Sequence, residues 1–322
     1  MSRPPAPPDL YLLSKVSTLY YERDQTQQQI AERLRISRPM VSRLLSEARR
    51  RGIVQITILP PQGSRVDLES MLEEKFGLEN VHVVPVDPAA GADGRRRQIG
   101  AAAAAYLART LQPHETVGIS WGTTLNAMVQ SLVPMASADV RIVQMLGGVG
   151  PPDVESYGSA LVRRTAQLLH AAPVLLPAPG IVATPAVRDS LRKDAHVRSA
   201  LRVLDSLTTA YVGLGALATN AVLNDGHSLS RGTRSELRAA GAVGDISLRF
   251  FDEHGAPVRT SLDDRVLGIT TAQLRKVPRV VAIAGGPDKV DAIAAALGAG
   301  IVNVLLTDQG TAQALVDREI SE

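Results

Sequence analysis

Two kinds of residue cluster in this chain have the makings of chemistry. The first joins glycine to hydroxyls or to a cation: Gly118-Ile119-Ser120-Trp121-Gly122-Thr123-Thr124, Gly147-Gly148-Val149-Gly150, Gly213-Leu214-Gly215 and Gly285-Gly286-Pro287-Asp288-Lys289. Where such a segment carries a strand into a helix, free backbone amides and the Ser120, Thr123 and Thr124 hydroxyls make a ready anion site, above all for phosphate. Each segment also has a plainer reading as a glycine turn, a helix cap or a surface lysine. In Gly244-Asp245-Ile246 the carboxylate suits a sugar hydroxyl and equally suits a turn cap. No Walker lysine follows Gly122, which disfavours P-loop nucleotide hydrolysis. Gly118 to Gly122 fits the spacing of a nucleophile elbow, but the sequence places no histidine or acid partner beside it. The histidines at 82, 114, 170, 196, 227 and 254 lack metal-ligand spacing.

The second cluster is basic. On a helical wheel starting at Arg38, Val41, Leu44, Leu45 and Ala48 fall between about 240° and 340°, while Ser42, Ser46, Arg49 and Arg43 fall between about 20° and 140°. One face packs and the other offers donors. Ser37 can cap this helix, Pro39 suits its first turn, and Thr26 can cap a shorter helix before it. A short helix, a three-residue turn and a second helix are what a helix-turn-helix needs to lay its leading side chains in the DNA major groove. Arginine forks match guanine O6 and N7, and serine bonds base edges or phosphate. Arg49-Arg50-Arg51 at the helix end suits phosphate contact or the helix dipole. The bland alternative is a helical hairpin with a solvated basic face.

These groups need a scaffold. Residues 1–8 are proline-rich and read as unstructured, and a first helix runs from Leu10 to about Tyr21. Gly52 ends the basic helix, and 53–58 alternates as a short strand, giving a winged-type head. Pro60-Pro61-Gln62-Gly63 reads as a linker. The domain reading is therefore 1–59 for DNA binding, 60–65 as linker and 66–322 as the effector-sensing and oligomerisation domain. Beyond the linker, periodicity predicts helices over 67–76, 95–111, 124–133, 159–171, 185–192, 197–204, 290–297 and 311–316. Strands are predicted over 81–86, 116–120, 140–145, 174–176, 210–213, 246–251, 279–284 and 301–305. Several are continuous Val/Ile/Leu runs, as in a parallel sheet covered on both faces. The expected fold is α/β, with ligand segments at strand ends along one sheet edge.

Composition narrows the classes. Residues 1–60 hold ten Lys/Arg against five acids, a charge of +5, whereas 61–322 hold 25 basic and 27 acidic residues. A basic head on a near-neutral body points to a polyanion partner for the head alone. The absence of cysteine removes disulfide scaffolds, thiolate zinc sites and cysteine nucleophiles. Aromatics are 3% of residues, too few for base-stacking platforms. No apolar run reaches the roughly 18 residues of a membrane span, so a soluble cytoplasmic protein without a membrane partner is expected.

Gln28-Gln29-Ile30-Ala31, Leu34 to Ser37-Arg38-Pro39, Val41-Ser42-Arg43-Leu44-Leu45 and Gly52-Ile53-Val54 resemble the DNA-binding head of SorC-type sugar-binding transcriptional regulators, a group filed with DeoR-type repressors. The body is similar as well, through Gly118 to Thr124, Gly147-Gly148, Pro177-Ala178-Pro179, Gly213-Leu214-Gly215, Gly244-Asp245-Ile246 and Ala284-Gly285-Gly286 with Lys289, Ala292 and Ile293. The resemblance spans about 10–316. It implies an effector domain similar to sugar-phosphate isomerase folds that has lost catalysis, needs no cofactor and senses a phosphorylated sugar. It also implies a homodimer or homotetramer on double-stranded operator DNA. On this resemblance Ser120, Gly122, Thr123 and Thr124 would hold the phosphate, and Gln144, Gly147, Gly148, Gly213 and Gly215 would line the pocket. Asp245 and Lys289 would meet hydroxyls or a second anionic group, while Leu146 is apolar where some relatives have a polar or basic side chain. Thr26, Gln27, Ser37, Arg38, Pro39, Met40, Ser42, Arg43 and Arg49 would face DNA.

Three functions compete: a ligand-responsive regulator, an active sugar-phosphate isomerase with a DNA-binding appendage, and an architectural DNA binder whose body only oligomerises. In the isomerase, Asp245 and Lys289 would serve as acid and base. Turnover of sugar phosphates separates the first two, and thermal stabilisation by a sugar phosphate excludes the third.

Overall fold

The computed structural model describes residues 9–56, 65–149, 158–217 and 231–318. The chain forms two compact units, Met1–Gln62 and Gly63–Glu322.

In the first unit, α1 (Leu10–Ser17) runs on through a π-helical turn, Thr18–Glu22, before α2 (Gln27–Leu34) and α3 (Arg38–Arg50). Thr26 closes a reciprocal capping box with Gln29, and the Ser37 hydroxyl accepts from the Met40 amide at 3.3 Å. Both satisfy amides that helix geometry leaves without partners. Leu13, Val16, Leu19, Ile30, Val41, Leu44, Leu45 and Ala48 form its core, so the apolar face read from the wheel is the buried one. Arg35 takes a left-handed conformation, φ 55°, that turns the chain between α2 and α3. One expectation fails at the wing: 53–56 are bends and irregular backbone rather than strand. The Ile53 and Val54 amides donate instead to the Ala48 carbonyl, at 2.9 and 3.2 Å, which ties this stretch to the end of α3. Positions 57 and 58 of that strand, the proline-rich 1–8 and positions 60–64 of the 60–65 linker lie outside the described residues.

The second unit opens with α4 (Val66–Phe76), β1 (Asn80–Val84), α5 (Gly91–Thr110), β2 (Thr116–Ile119), α6 (Thr123–Ser131) and β3 (Arg141–Gln144). It continues with α7 (Gly158–Leu168), β4 (Ala172–Val174), α8 (Pro185–Lys193), α9 (Ala195–Val203), β5 (Thr209–Val212) and β6 (Gly215–Ala216). Then come α10 (Arg231–Ala239), β7 (Gly244–Ile246), β8 (Arg249–Phe251), α11 (Thr271–Leu274), β9 (Arg279–Ile283), α12 (Val290–Gly298), β10 (Val304–Asp308) and α13 (Gln309–Asp317). Seven strands pair in parallel in the order β1-β10-β9-β5-β2-β3-β4. Along β9, Val280 and Ala282 enter one core with α4, α12 and α13, while Val281 and Ile283 enter another with α5, α6 and α7. Burial on both faces explains why these strands read as unbroken apolar runs.

A second sheet, β6-β7-β8, is antiparallel. The single strand expected over 246–251 is instead the hairpin β7-β8, because Ser247 and Leu248 both turn to positive φ, 53° and 62°. The strands expected at 174–176 and 301–305 lie at Ala172–Val174 and Val304–Asp308, where they register with β3 and β9. From β2 the chain builds outward through β3 to β4, then returns to place β5 on the other flank of β2. The crevice at such a reversal, beyond the carboxyl ends of the strands, is where open α/β sheets bind ligands.

Candidate functional site

At that reversal lies a cavity of about 260 Å³ lined by Ser120 to Leu125, Gly213 to Ala216, Asp245, Ser247, Asp288, Lys289 and Arg96. The strand ends of β2 and β5 supply two walls. Gly122, at φ 130°, makes the turn into α6 in a conformation that a side chain would strain, and Thr123 and Thr124 are the first two residues of that helix. Neither Thr123 nor Thr124 caps α6 with its side chain, so the capping reading of these threonines does not apply here. Helix-opening amides, the macrodipole and two hydroxyls thus share one turn that bears no acid. Asp245 is buried and accepts from the Leu248 amide at 3.0 Å through Oδ2, so it caps the hairpin turn and lines the cavity at once. The Ser120 and Ser247 hydroxyls are hydrogen-bonded at 2.8 Å.

Lys289 ends the turn Pro287–Lys289, its amide donating to the Gly286 carbonyl at 3.0 Å. Burial pushes its ammonium below the usual lysine range, while Asp288 and Asp245 pull it up and Arg96 pushes it down. A cation held in partly desolvated surroundings, beside two carboxylates and a guanidinium, is suited to an anionic or polyhydroxyl guest.

Of the residues expected at the site, Ser120, Gly122, Thr123, Thr124, Gly213, Gly215, Asp245 and Lys289 share the cavity. Gln144, Gly147 and Gly148 are not among its lining residues. The Gln144 amide is spent locally, donating to the Leu146 carbonyl at 2.8 Å and accepting from the Leu176 amide at 3.3 Å. Gly147 and Gly148 donate to the carbonyls of Leu267 and Ala178, both at 3.0 Å, and a Cβ at Gly147 would stand 2.6 Å from the Ala178 carbonyl oxygen. At Gly147 only glycine lets the two backbones approach this closely. Gly150 lies outside the described residues. Arg96, Trp121, Leu214, Ser247 and Asp288 line the cavity without having been singled out as ligand residues. Trp121, Leu214 and Asp288 lie inside segments already marked and Ser247 adjoins one, whereas Arg96 reaches the site only through the packing of α5. Among the described residues no histidine lines the cavity, so none of them gives the elbow-like Ser120 a triad base there. Among the described residues no acid/histidine cluster could hold a metal ion, and no helix is long and apolar enough to cross a membrane.

In the first unit, Ser37, Arg38, Pro39, Met40, Ser42, Arg43 and Arg49 are exposed along the start and outer face of α3, and Thr26 is exposed at the start of α2. Thr26, Gln27, Gln28 and Arg38 line one surface hollow with Tyr20, Tyr21, Asp24 and Gln25. Arg50 and Arg51 both pair with Glu47, while among the described residues Arg38, Arg43 and Arg49 make no ion pair. The basic run at the helix end therefore divides into two arginines engaged within the protein and one available to a phosphate.

Residues 61–317 match the Sugar-bind family of sugar-binding domains, and 15–51 match Sigma-70, region 4. The chain is 35% identical over 303 residues to the Deoxyribonucleoside regulator of Bacillus subtilis (strain 168), covering 94% of this chain and 96% of that protein. Against the Sorbitol operon regulator of Klebsiella pneumoniae it is 32% identical over 315 residues, covering 96% and 98%. The crystal structure of full-length SorC, the sorbitol operon regulator of Klebsiella pneumoniae, superposes with a TM-score of 0.75 at 31% identity over 97% of this chain and 100% of that one. These relatives are regulators of transcription and lend no support to the isomerase reading. With a helix-turn-helix head, a parallel α/β body and matches along nearly its whole length, the chain belongs to the SorC-type family of sugar-binding transcriptional regulators.

Proposed function

We propose that this cytoplasmic regulator binds operator DNA through residues 1–59 and that a phosphorylated sugar in the 66–322 domain controls that binding. The Gly122-Thr123-Thr124 turn carries the phosphate reading, because it offers helix-opening amides and two hydroxyls with no acid on the turn. Asp245 and Lys289 meet the ligand's hydroxyls or a second anionic group, with Gly213 and Gly215 giving the ligand room beside them. In the head, Arg38 and Ser42 address base edges, Arg43 and Arg49 address phosphates, and Thr26, Gln27, Ser37, Pro39 and Met40 frame the docking surface. A homodimer or homotetramer presents paired heads to an operator of two half-sites. The ligand shifts operator affinity only as far as it prefers one arrangement of the protein over another.

Thr123→Val tests the placement by calorimetry with a panel of pentose and hexose phosphates. Charged hydrogen bonds contribute about 1.5 to 3 kcal/mol, so the variant should bind the sugar phosphate roughly tenfold or more weakly while operator binding without effector is unchanged. Equal binding by variant and parent, or equal binding of the unphosphorylated sugar, overturns it.

A further inference from the structure

The segment that carries Lys289 is anchored from outside the cavity. Asp308 ends β10 and caps α13, accepting from the Thr311 amide at 3.0 Å through Oδ1. The Thr311 hydroxyl donates to Asp308 Oδ2 at 2.7 Å and accepts from the Gly286 amide at 2.7 Å. The Gly286 carbonyl in turn accepts from the Lys289 amide. The relay is buried: Asp308 is 5% exposed and Thr311 2%, and Gly286 is buried with them. There is no room for slack, since a Cβ at Gly285 would stand 2.2 Å from Asp308 Oδ2, and one at Gly286 would stand 2.9 Å from the Arg95 guanidinium. Arg95 lies 3.8 Å from Asp308 and precedes Arg96, which lines the cavity, so the same carboxylate also faces the helix that supplies that arginine.

Resting on the effector reading of this cavity, we infer that Asp308 and Thr311 are positioning residues for ligand recognition, holding the Gly286 turn so that Lys289 is presented to the bound anion. A hydroxyl is required at 311 because one atom must donate to a carboxylate and accept from an amide together. Valine has the shape without either capacity, and serine has both capacities without the methyl.

The test uses the full-length protein with reductively dimethylated, ¹³C-labelled lysines, which keep their charge. The chain has five lysines, and Lys289→Arg assigns the relevant resonance. Thr311→Val should move the Lys289 titration midpoint upward, toward that of an exposed lysine. It should also weaken ribose 5-phosphate and inorganic phosphate roughly tenfold in titrations followed by the fluorescence of Trp121, the only tryptophan, which lines the cavity. Thr311→Ser should restore both within about twofold. A folded Thr311→Val with an unchanged midpoint, or a Thr311→Ser no better than Thr311→Val, overturns the inference. Should Thr311→Val fail to fold by circular dichroism, Asp308→Asn keeps the volume, disturbs the same acceptor and is expected to shift the midpoint in the same direction; an unchanged midpoint there also overturns the inference. If the parent answers to neither phosphate compound nor any sugar phosphate, the effector reading falls, and the midpoints still decide whether Thr311 positions Lys289.

Discussion

The hydroxyls of Ser120 and Ser247 lie 2.8 Å apart across 127 residues of sequence, joining the end of β2 to the tip of the β7-β8 hairpin. The tip is strained: Ser247 and Leu248 occupy the left-handed region, at about 1 to 2 kcal/mol for each residue that is not glycine. Burial of Leu248, at 1% exposure, and the Asp245 carboxylate on its amide hold the turn in place. Backbone strain of this kind gathers at ligand sites, where surrounding structure over-determines it.

Ser120→Ala should therefore destabilise the protein by about 1 to 2 kcal/mol, because it leaves a buried Ser247 hydroxyl without its partner. The double variant with Ser247→Ala should cost less than the two single effects added, with a coupling of about 0.5 kcal/mol or more. Urea denaturation of the four proteins measures the cycle. Strict additivity would show that the pair contributes nothing.

Arg38 opens α3 with an exposed side chain, where the proposed docking has it address base edges. Replacing it by alanine should cost on the order of 1 to 3 kcal/mol on operator DNA and less on random DNA, if the guanidinium reads guanine. Fluorescence anisotropy on both DNAs at fixed salt checks this, and equal losses would assign Arg38 to phosphate contact. Arg50→Ala should matter less than Arg49→Ala, since Arg50 is already paired with Glu47.

Effector affinity should fall as pH rises through the Lys289 pKa. Burial holds that pKa below the ordinary lysine value, whereas a bound anion favours the ammonium, so binding takes up a proton. Affinity is greatest below the free-protein pKa and declines above it, at a lower pH than an exposed lysine would give. Calorimetry in buffers of different ionisation heat should detect the uptake, and Lys289→Met should abolish both the uptake and the decline.

Paired half-sites call for a symmetric oligomer. Sedimentation equilibrium of the full-length protein at micromolar concentration should return a multiple of 34.2 kDa. A monomer mass with operator bound at full affinity would refute the arrangement.

Local patterns were legible in the chain itself. The caps at Thr26 and Ser37, the buried stripe of α3 and the parallel strands of the body follow from side-chain type and spacing, because helix and strand periods are short-range properties. The Gly122-Thr123-Thr124 turn is also local, since glycine, hydroxyls and a helix start are consecutive in sequence. Sheet order had to be settled by packing, and it decided which of four glycine segments meet at one cavity. Three segments come together there. Gly147-Gly148 is consumed in backbone pairing with Leu267 and Ala178, contacts more than 25 residues away that no local pattern announces. The positive φ angles at Ser247 and Leu248 run against residue preference, so a continuous strand over 246–251 was the locally favoured reading. Arg96 and Thr311 entered the account for the same reason: a side chain's part in a site depends on what the fold packs against it.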